Sequence, residues 1–133
     1  MDEQQALKIL ILENKDKQNT LTYRLLKSKL PKAKLYRANN CSDAHLLLPS
    51  SLPDMVMMDL DLPLKDLYSI SHVIKVDKRL RATKIMAYSD WDTIEIRQKI
   101  SFLGLDSYIQ APFDVNELIS RIRTLIPHLE EQQ

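Results

Sequence analysis

The chain has 133 residues, of which 44% are hydrophobic and 28% charged, and its formal net charge is +1 at pH 7. This length and composition predict one globular domain over residues 1–133, with its core at about 7–126 and a polar segment at each end. The nearly neutral charge gives no electrostatic reason to expect direct binding of nucleic acid or of a membrane surface. The apolar runs are too short to cross a bilayer, and the single cysteine excludes an internal disulfide, so we expect a cytoplasmic protein.

Short apolar runs alternate with segments of helical spacing along the whole chain. The apolar runs predict five strands, at Leu7–Leu12, Lys34–Arg37, Asp54–Met58, Lys84–Tyr88 and Ser107–Ile109. The helical stripes between and after them are Leu21, Leu25 and Leu26; Ala44, Leu47 and Leu48; Leu67, Ile70 and Ile74; Ile96, Ile100 and Leu103; and Val115, Leu118, Ile119, Ile122, Leu125 and Ile126.

The ends of the last two helices carry their own signals. Gly104 follows the fourth stripe, where glycine tolerates the left-handed conformation of a helix C-cap. Asp114 precedes Glu117 by three residues, which is typical of a capping box at the start of the fifth helix, and Pro127 ends that helix.

Five strand–helix units in succession predict an α/β fold, a doubly wound parallel sheet with helices on both faces. The second strand alternates apolar and polar residues, as expected at an edge. Right-handed crossovers and one reversal of direction then give the strand order 2-1-3-4-5, the flavodoxin-like order. In such a sheet the functional crevice lies outside the carboxyl ends of the first and third strands.

Polar side chains stand at the predicted carboxyl ends of the strands. Glu13 and Asn14 follow the first strand, Asp59 follows the third, and Ser89 follows the fourth. A buried carboxylate at such a position can accept a phosphoryl group or help to hold a divalent cation. The only glycine, Gly104, excludes the glycine-rich loops of P-loop and dinucleotide-binding proteins, which need several glycines.

These segments resemble the receiver domain of response regulators, in particular the OmpR/PhoB branch, over roughly Leu7 to Ile126. The most specific matches are Asp59-x-x-x-Pro63, the run Gly104–Tyr108, and Pro112-Phe113 before the last helix. The resemblance implies that a histidine kinase phosphorylates Asp59 in the presence of Mg²⁺. It also implies that Ser89 contacts the phosphoryl group and that Tyr108 moves inward with it as a switch pair.

The sequence departs from this family pattern at two positions. The resemblance implies an acidic pair at Glu13-Asn14 and a lysine at Ala111, and it assigns the metal ligands to Glu13, Asn14, Asp59 and the carbonyl of Asp61. Losing one carboxylate and one ammonium predicts weak Mg²⁺ binding and a degenerate phosphorylation site, unless Lys15 substitutes. We therefore expect a non-enzymatic interaction module with at most residual self-phosphorylation.

Two alternatives are kept beside this prediction. A fully competent phosphoacceptor, phosphorylated on Asp59 with Mg²⁺, would also fit the family pattern. A flavin-binding protein of the same strand order is disfavoured, because the loops after the first and third strands lack a phosphate cradle rich in serine, threonine and glycine.

The resemblance to the OmpR/PhoB branch also implies a homodimer. The paired surface would be formed by helix 4, strand 5 and helix 5, with charged residues around a small apolar patch. The corresponding residues here are Arg97, Asp106, Glu117, Arg121 and Arg123. An ordinary solvated surface is the alternative, since exposed ion pairs contribute only about 0–1 kcal/mol each.

Overall fold

In the computed structural model, residues 6–14 and 21–127 are described. They form five parallel strands: β1 (Lys8–Leu12), β2 (Lys34–Ala38), β3 (Met55–Asp59), β4 (Lys84–Ser89) and β5 (Ser107–Gln110). The helices are α1 (Leu21–Lys29), α2 (Cys41–Ser51), α3 (Leu64–Val76), α4 (Ile94–Leu103) and α5 (Val115–Leu125), with a short 3₁₀ turn at Lys78–Leu80. The predicted fold class and the order β2-β1-β3-β4-β5 are confirmed.

Two apolar layers lie on opposite faces of the sheet, because successive side chains of a strand point in opposite directions. Alternate residues such as Leu10 and Met58 pack against α2, α3 and α4. The intervening residues, such as Ile11 and Met57, pack against α1 and α5. Burial on both faces explains why β1 and β3 are almost continuous apolar runs.

The helix ends follow from local chemistry. Thr93 caps α4, where its hydroxyl accepts the Ile96 N–H at 3.2 Å, and Gly104 ends that helix at φ 64°, as its position in the sequence predicted. Asp114 caps α5, but its carboxylate accepts the N–H of Asn116, at 2.6 Å. In the described part of the chain, no helix is long and apolar enough to cross a membrane.

Candidate phosphoacceptor site

The carboxyl ends of β1, β3 and β4 bring the predicted acidic and hydroxyl residues to one edge of the sheet. Glu13 directly follows β1, and its N–H continues the ladder to the Ala38 carbonyl at 3.1 Å. Asp59 and Ser89 are the last residues of β3 and β4, one residue later than the predicted strand ends. The side chains of Glu13, Asp59 and Ser89 are all buried, with 0–3% of their surface exposed.

Strand register places the two carboxylates side by side. Leu12 of β1 pairs with Met58 of β3, so Glu13 and Asp59 occupy the next matching positions. By the alternation of side chains along a strand, Glu13 and Asp59 lie on the face of the sheet that packs against α1 and α5. Ser89 lies on the opposite face, which packs against α4. The site therefore extends around the end of the sheet, from the carboxylates on one face to the hydroxyl on the other.

A tight turn holds Asp59 and the segment that follows it. The N–H of Asp61 donates to Oδ1 of Asp59 at 2.9 Å, and the N–H of Leu62 donates to the Asp59 carbonyl at 3.1 Å. Leu60 begins this turn and donates its N–H to the Tyr88 carbonyl at 2.9 Å. The first bond holds the Asp59 carboxylate against its own loop, and the bond from Leu60 ties the main chain of that loop to β4.

The oxygen atoms at this site suit a hard cation that needs few protein ligands. Mg²⁺ is commonly bound through one or two carboxylates and several water molecules, which Glu13 and Asp59 can satisfy. Asn14 and Asp61, both half-buried beside them, add neutral oxygens. Among the described residues, no group of three or more His, Cys, Asp or Glu side chains is arranged to hold a metal ion.

Tyr88 is a site residue absent from the sequence-based prediction. It pairs with Asp59 across β3 and β4 and faces the same side of the sheet, and only 4% of its surface is exposed. Burial raises the pKa of its phenol strongly, and the negative charges of Asp59 and Glu13 raise it further, whereas hydrogen bonding with Thr22 opposes the rise. The signal for this residue was available in the parallel register, because the residue beside Asp59 on β4 must share its face.

Ser89 and Tyr108 lie together on the α4 side. The Ser89 hydroxyl donates to the Trp91 carbonyl and accepts the Trp91 N–H, both at 3.0 Å, so it fixes the loop that leads into α4. The half-buried Tyr108 packs against the same apolar layer. Burial raises the pKa of its phenol, the charge of Asp92 adds to the rise, and the hydrogen bond with Ser89 opposes it. Both members of the predicted switch pair therefore lie on the α4 side of the sheet.

Ala111 occupies the position where the resemblance implies a lysine. Its N–H donates to the Ser89 carbonyl at 2.8 Å, so the residue is tied to the end of β4. Its side chain is a methyl group and supplies no charge. Lys15, the predicted substitute, lies outside the described residues.

An ammonium group does reach the loop after Asp59, from a residue that the sequence reasoning did not single out. Lys99 of α4 donates from Nζ to the carbonyls of Leu60 and Leu62, at 2.7 and 3.0 Å. The signal in the sequence was its spacing, since Lys99 lies three residues after Ile96 and four before Leu103 on the buried stripe of the helix.

The predicted interface residues make contacts within the chain. Arg97 pairs with Asp92 at 2.8 Å, and Arg121 pairs with Glu117 at 3.0 Å and also donates to the Tyr108 carbonyl. The carboxylate of Asp106 accepts the N–H of Ile85 at 2.7 Å, which fixes the start of β4 against β5. Arg123 lies on the last turn of α5.

Comparison with known proteins places this geometry in a family. The chain is 30% identical over 74 residues to the DNA-binding dual master transcriptional regulator RpaA of Synechocystis sp.; the match covers 56% of this chain and 31% of RpaA, so the chain spans about a third of that relative. Homologues of the chain include regulators of the OmpR/PhoB type.

Solved structures of receiver domains share the fold. The receiver domain of a DNA-binding response regulator (merR) from Colwellia psychrerythraea is 29% identical, with a TM-score of 0.75, over 91% of this chain and 98% of that one. The receiver domain of the sensor histidine kinase PA1611 from Pseudomonas aeruginosa, solved with a magnesium ion coordinated in its active-site cleft, gives a TM-score of 0.78 at 22% identity, over 92% of this chain and 98% of that one.

The family assignment rests on a match along most of the sequence. The family model for the response regulator receiver domain matches residues 9–123, which include every strand except the first residue of β1. Receiver domains are generally non-enzymatic signalling modules that interact with histidine kinases and phosphotransferases, and they commonly bind Mg²⁺ at the active site. The chain therefore belongs to the response regulator receiver domain family, as a receiver of two-component signal transduction.

Proposed function

We propose that this receiver domain signals mainly as a protein-interaction module and that its site takes up Mg²⁺ and a phosphoryl group on Asp59 only weakly. The observation that carries the proposal is the methyl group at Ala111, tied to the end of β4 beside Ser89. A charge-assisted hydrogen bond contributes about 1.5–3 kcal/mol, so a phosphoryl dianion without that bond is held roughly tenfold less tightly or worse.

The acidic half of the site supports weak rather than absent metal binding. Glu13 and Asp59 keep two buried carboxylates, but Asn14 adds a neutral amide in place of a second charge after β1. When bound, Mg²⁺ would neutralise charge between Asp59 and an incoming phosphoryl group. Glu13, Asn14, Asp59 and the Asp61 carbonyl would hold it, and the chain's own role is to keep these oxygens at one edge of the sheet.

The α4 side of the site supports signalling without a phosphoryl group. Tyr108 lies half-buried on the same side of the sheet as Ser89, and the Ser89 hydroxyl already holds the loop that enters α4. In a two-state protein, a surface that is populated without its ligand can be selected by a partner that prefers it. We therefore place the control of this domain in partner binding at α4, β5 and α5.

A second copy of the chain is the partner proposed for that surface. The outer side of α4 has a shallow groove lined by Ile94, Arg97, Gln98, Ser101 and Phe102, and the two apolar members are largely exposed. Charged residues of that surface, such as Arg97 and Arg121, already form ion pairs within the chain. Replacing these pairs by pairs between two copies would therefore add little affinity, and would mainly fix how the two copies are aligned. Sedimentation equilibrium of the wild type and of Phe102→Asp tests this: the variant should shift a self-associating chain towards the monomer.

The competent phosphoacceptor is the alternative, and one experiment separates the two. Protein is incubated with beryllofluoride and Mg²⁺, and binding is followed by the fluorescence of Trp91, the only tryptophan, whose main-chain N–H and carbonyl are hydrogen-bonded to the Ser89 hydroxyl. We expect weak binding by the wild type, about tenfold or tighter binding by Ala111→Lys, and no gain for Ala111→Met, which adds length without charge. Asp59→Asn should abolish the signal in every background.

The outcome that contradicts the proposal is equally specific. If the wild type binds beryllofluoride as tightly as Ala111→Lys, the missing ammonium group at Ala111 has no consequence, and the site is competent for phosphorylation. Acetyl phosphate with intact-mass detection gives the same comparison for a covalent adduct on Asp59.

A further inference from the structure

The inner face of α4 carries a charged residue in the middle of an apolar stripe. Ile96 and Leu103 are buried against the sheet, and Lys99 lies between them at helical spacing, half-buried. An ammonium group beside an apolar core is costly unless it is hydrogen-bonded. The position of Lys99 therefore requires specific acceptors.

Those acceptors belong to the phosphoacceptor loop, Leu60–Leu62. Nζ of Lys99 donates to the Leu60 and Leu62 carbonyls at 2.7 and 3.0 Å, and these two residues flank Asp61. From the other side, the Asp59 carboxylate accepts the Asp61 N–H at 2.9 Å, and the Asp59 main-chain carbonyl accepts the Leu62 N–H at 3.1 Å. Three consecutive residues are thus held between Asp59 and the ammonium of Lys99.

We propose that Lys99 is the positioning residue of the phosphoacceptor loop and that it couples this loop to α4. The signalling role of this coupling rests on the proposed function, in which Asp59 accepts the phosphoryl group and the Asp61 carbonyl helps to bind Mg²⁺. A displacement of α4 moves the ammonium group, and the Leu60 and Leu62 carbonyls must then follow it or lose their bonds. A partner seated on the exposed side of the same helix, at Ile94 and Phe102, therefore acts on Asp59 without a phosphoryl group.

A second lysine provides the control for a lysine that only joins two helices. Lys75 of α3 donates from Nζ to the Leu103 carbonyl at 2.8 Å, so it joins α3 to the end of α4. Its bond has the same chemistry as those of Lys99, but it is made at Leu103 and touches neither Asp59 nor its loop. Loss of the Lys75 ammonium removes one such bond and loss of the Lys99 ammonium removes two, and only loss of Lys99 should change the loop.

Amide hydrogen exchange on the intact chain, without ligand, tests the coupling. Lys99→Met keeps the aliphatic stem and removes the ammonium, and we expect exchange at the Asp61 and Leu62 amides to become at least about tenfold faster. The rates are corrected for any change in global stability, read from amides in the centre of β1 and β3. Lys99→Arg should restore at least half of the lost protection on a logarithmic scale, and Lys75→Met should leave these two amides within about twofold of the wild type.

Three results would overturn the assignment. Exchange at Asp61 and Leu62 could stay unchanged in Lys99→Met, could rise only as much as it does in β1 and β3, or could rise equally in Lys75→Met. Beryllofluoride binding is then measured on the same proteins, and its absence from the wild type and from Ala111→Lys would contradict the proposed function alone. The exchange data decide the role of Lys99 in either case.

Discussion

Replacing Tyr88 by phenylalanine should remove a specific alkaline destabilisation of the fold. The phenol is buried beside Asp59 and Glu13, which raises its pKa above the ordinary value of 10.0. Asp90, next in sequence, adds to the rise. Tyr88→Phe removes the titrating oxygen and keeps the ring that packs against α1 and α5.

The sign and size of the effect follow from proton linkage. Above about pH 10 the unfolded chain releases the phenolic proton while the native chain keeps it, so the unfolded state gains stability as pH rises. One such group costs the native state about 1.4 kcal/mol between pH 9 and pH 11, and the loss continues towards the raised pKa of the folded protein. Below about pH 9 the contribution of Tyr88 ionisation is absent.

Urea unfolding followed by circular dichroism at pH 9, 10 and 11 measures this difference. The free energy of unfolding of the wild type should fall by about 1.4 kcal/mol more than that of Tyr88→Phe over this range. Tyr36→Phe, on the edge strand β2, is the matched control and should follow the wild type. Equal losses in the wild type and Tyr88→Phe would refute the burial of this phenol at the end of β4.

Two further predictions concern the ends of α4. Gly104→Ala should lower the free energy of unfolding by about 1–2 kcal/mol, because φ is 64° and a Cβ would lie 2.6 Å from Nζ of Lys75. In thermal unfolding Gly104→Asn should lose less stability than Gly104→Ala, since asparagine tolerates this backbone conformation. An equal loss in the two variants would show that the steric contact with Lys75 is the cause. Thr93→Ala should lower the free energy of unfolding in urea by about 1 kcal/mol, because it removes the hydroxyl that caps the Ile96 N–H. Thr93→Ser keeps the hydroxyl and should have a stability close to that of the wild type. Equal stability of all three proteins would show that the cap contributes nothing.

Most of the fold could be predicted from the sequence because its signals are local. The five apolar runs and five helical stripes located the five strands and five α-helices of the described residues, and Gly104 marked the end of α4. The strand order followed from general rules on crossovers in parallel sheets. The cap of α5 differs from the predicted capping box, because the Asp114 side chain accepts the N–H of Asn116, one residue earlier than a capping box requires.

The site was predictable only in part. The parallel order placed Glu13, Asp59 and Ser89 at one edge of the sheet, because the carboxyl ends of its strands must meet there. Lys99 was missed because a lysine within a helix is usually solvated, and the two carbonyls that it bonds are 37 and 39 residues away in sequence. Asp106 is exposed, as an interface residue would be, and its carboxylate also accepts the Ile85 N–H, a contact within the chain that the sequence did not indicate.

By itself, the sequence determined which chemical groups this receiver possesses at the strand ends: the aspartate that we propose as the phosphoacceptor, a methyl group at Ala111, and an amide at Asn14. Only the tertiary structure decided which distant groups surround them, namely the phenol of Tyr88 beside Asp59 and the ammonium of Lys99 on the following loop. The physical reason is that backbone periodicity and capping depend on neighbours in sequence, whereas burial, hydrogen bonding and pKa depend on neighbours in space, which β-sheet register and helix packing bring together.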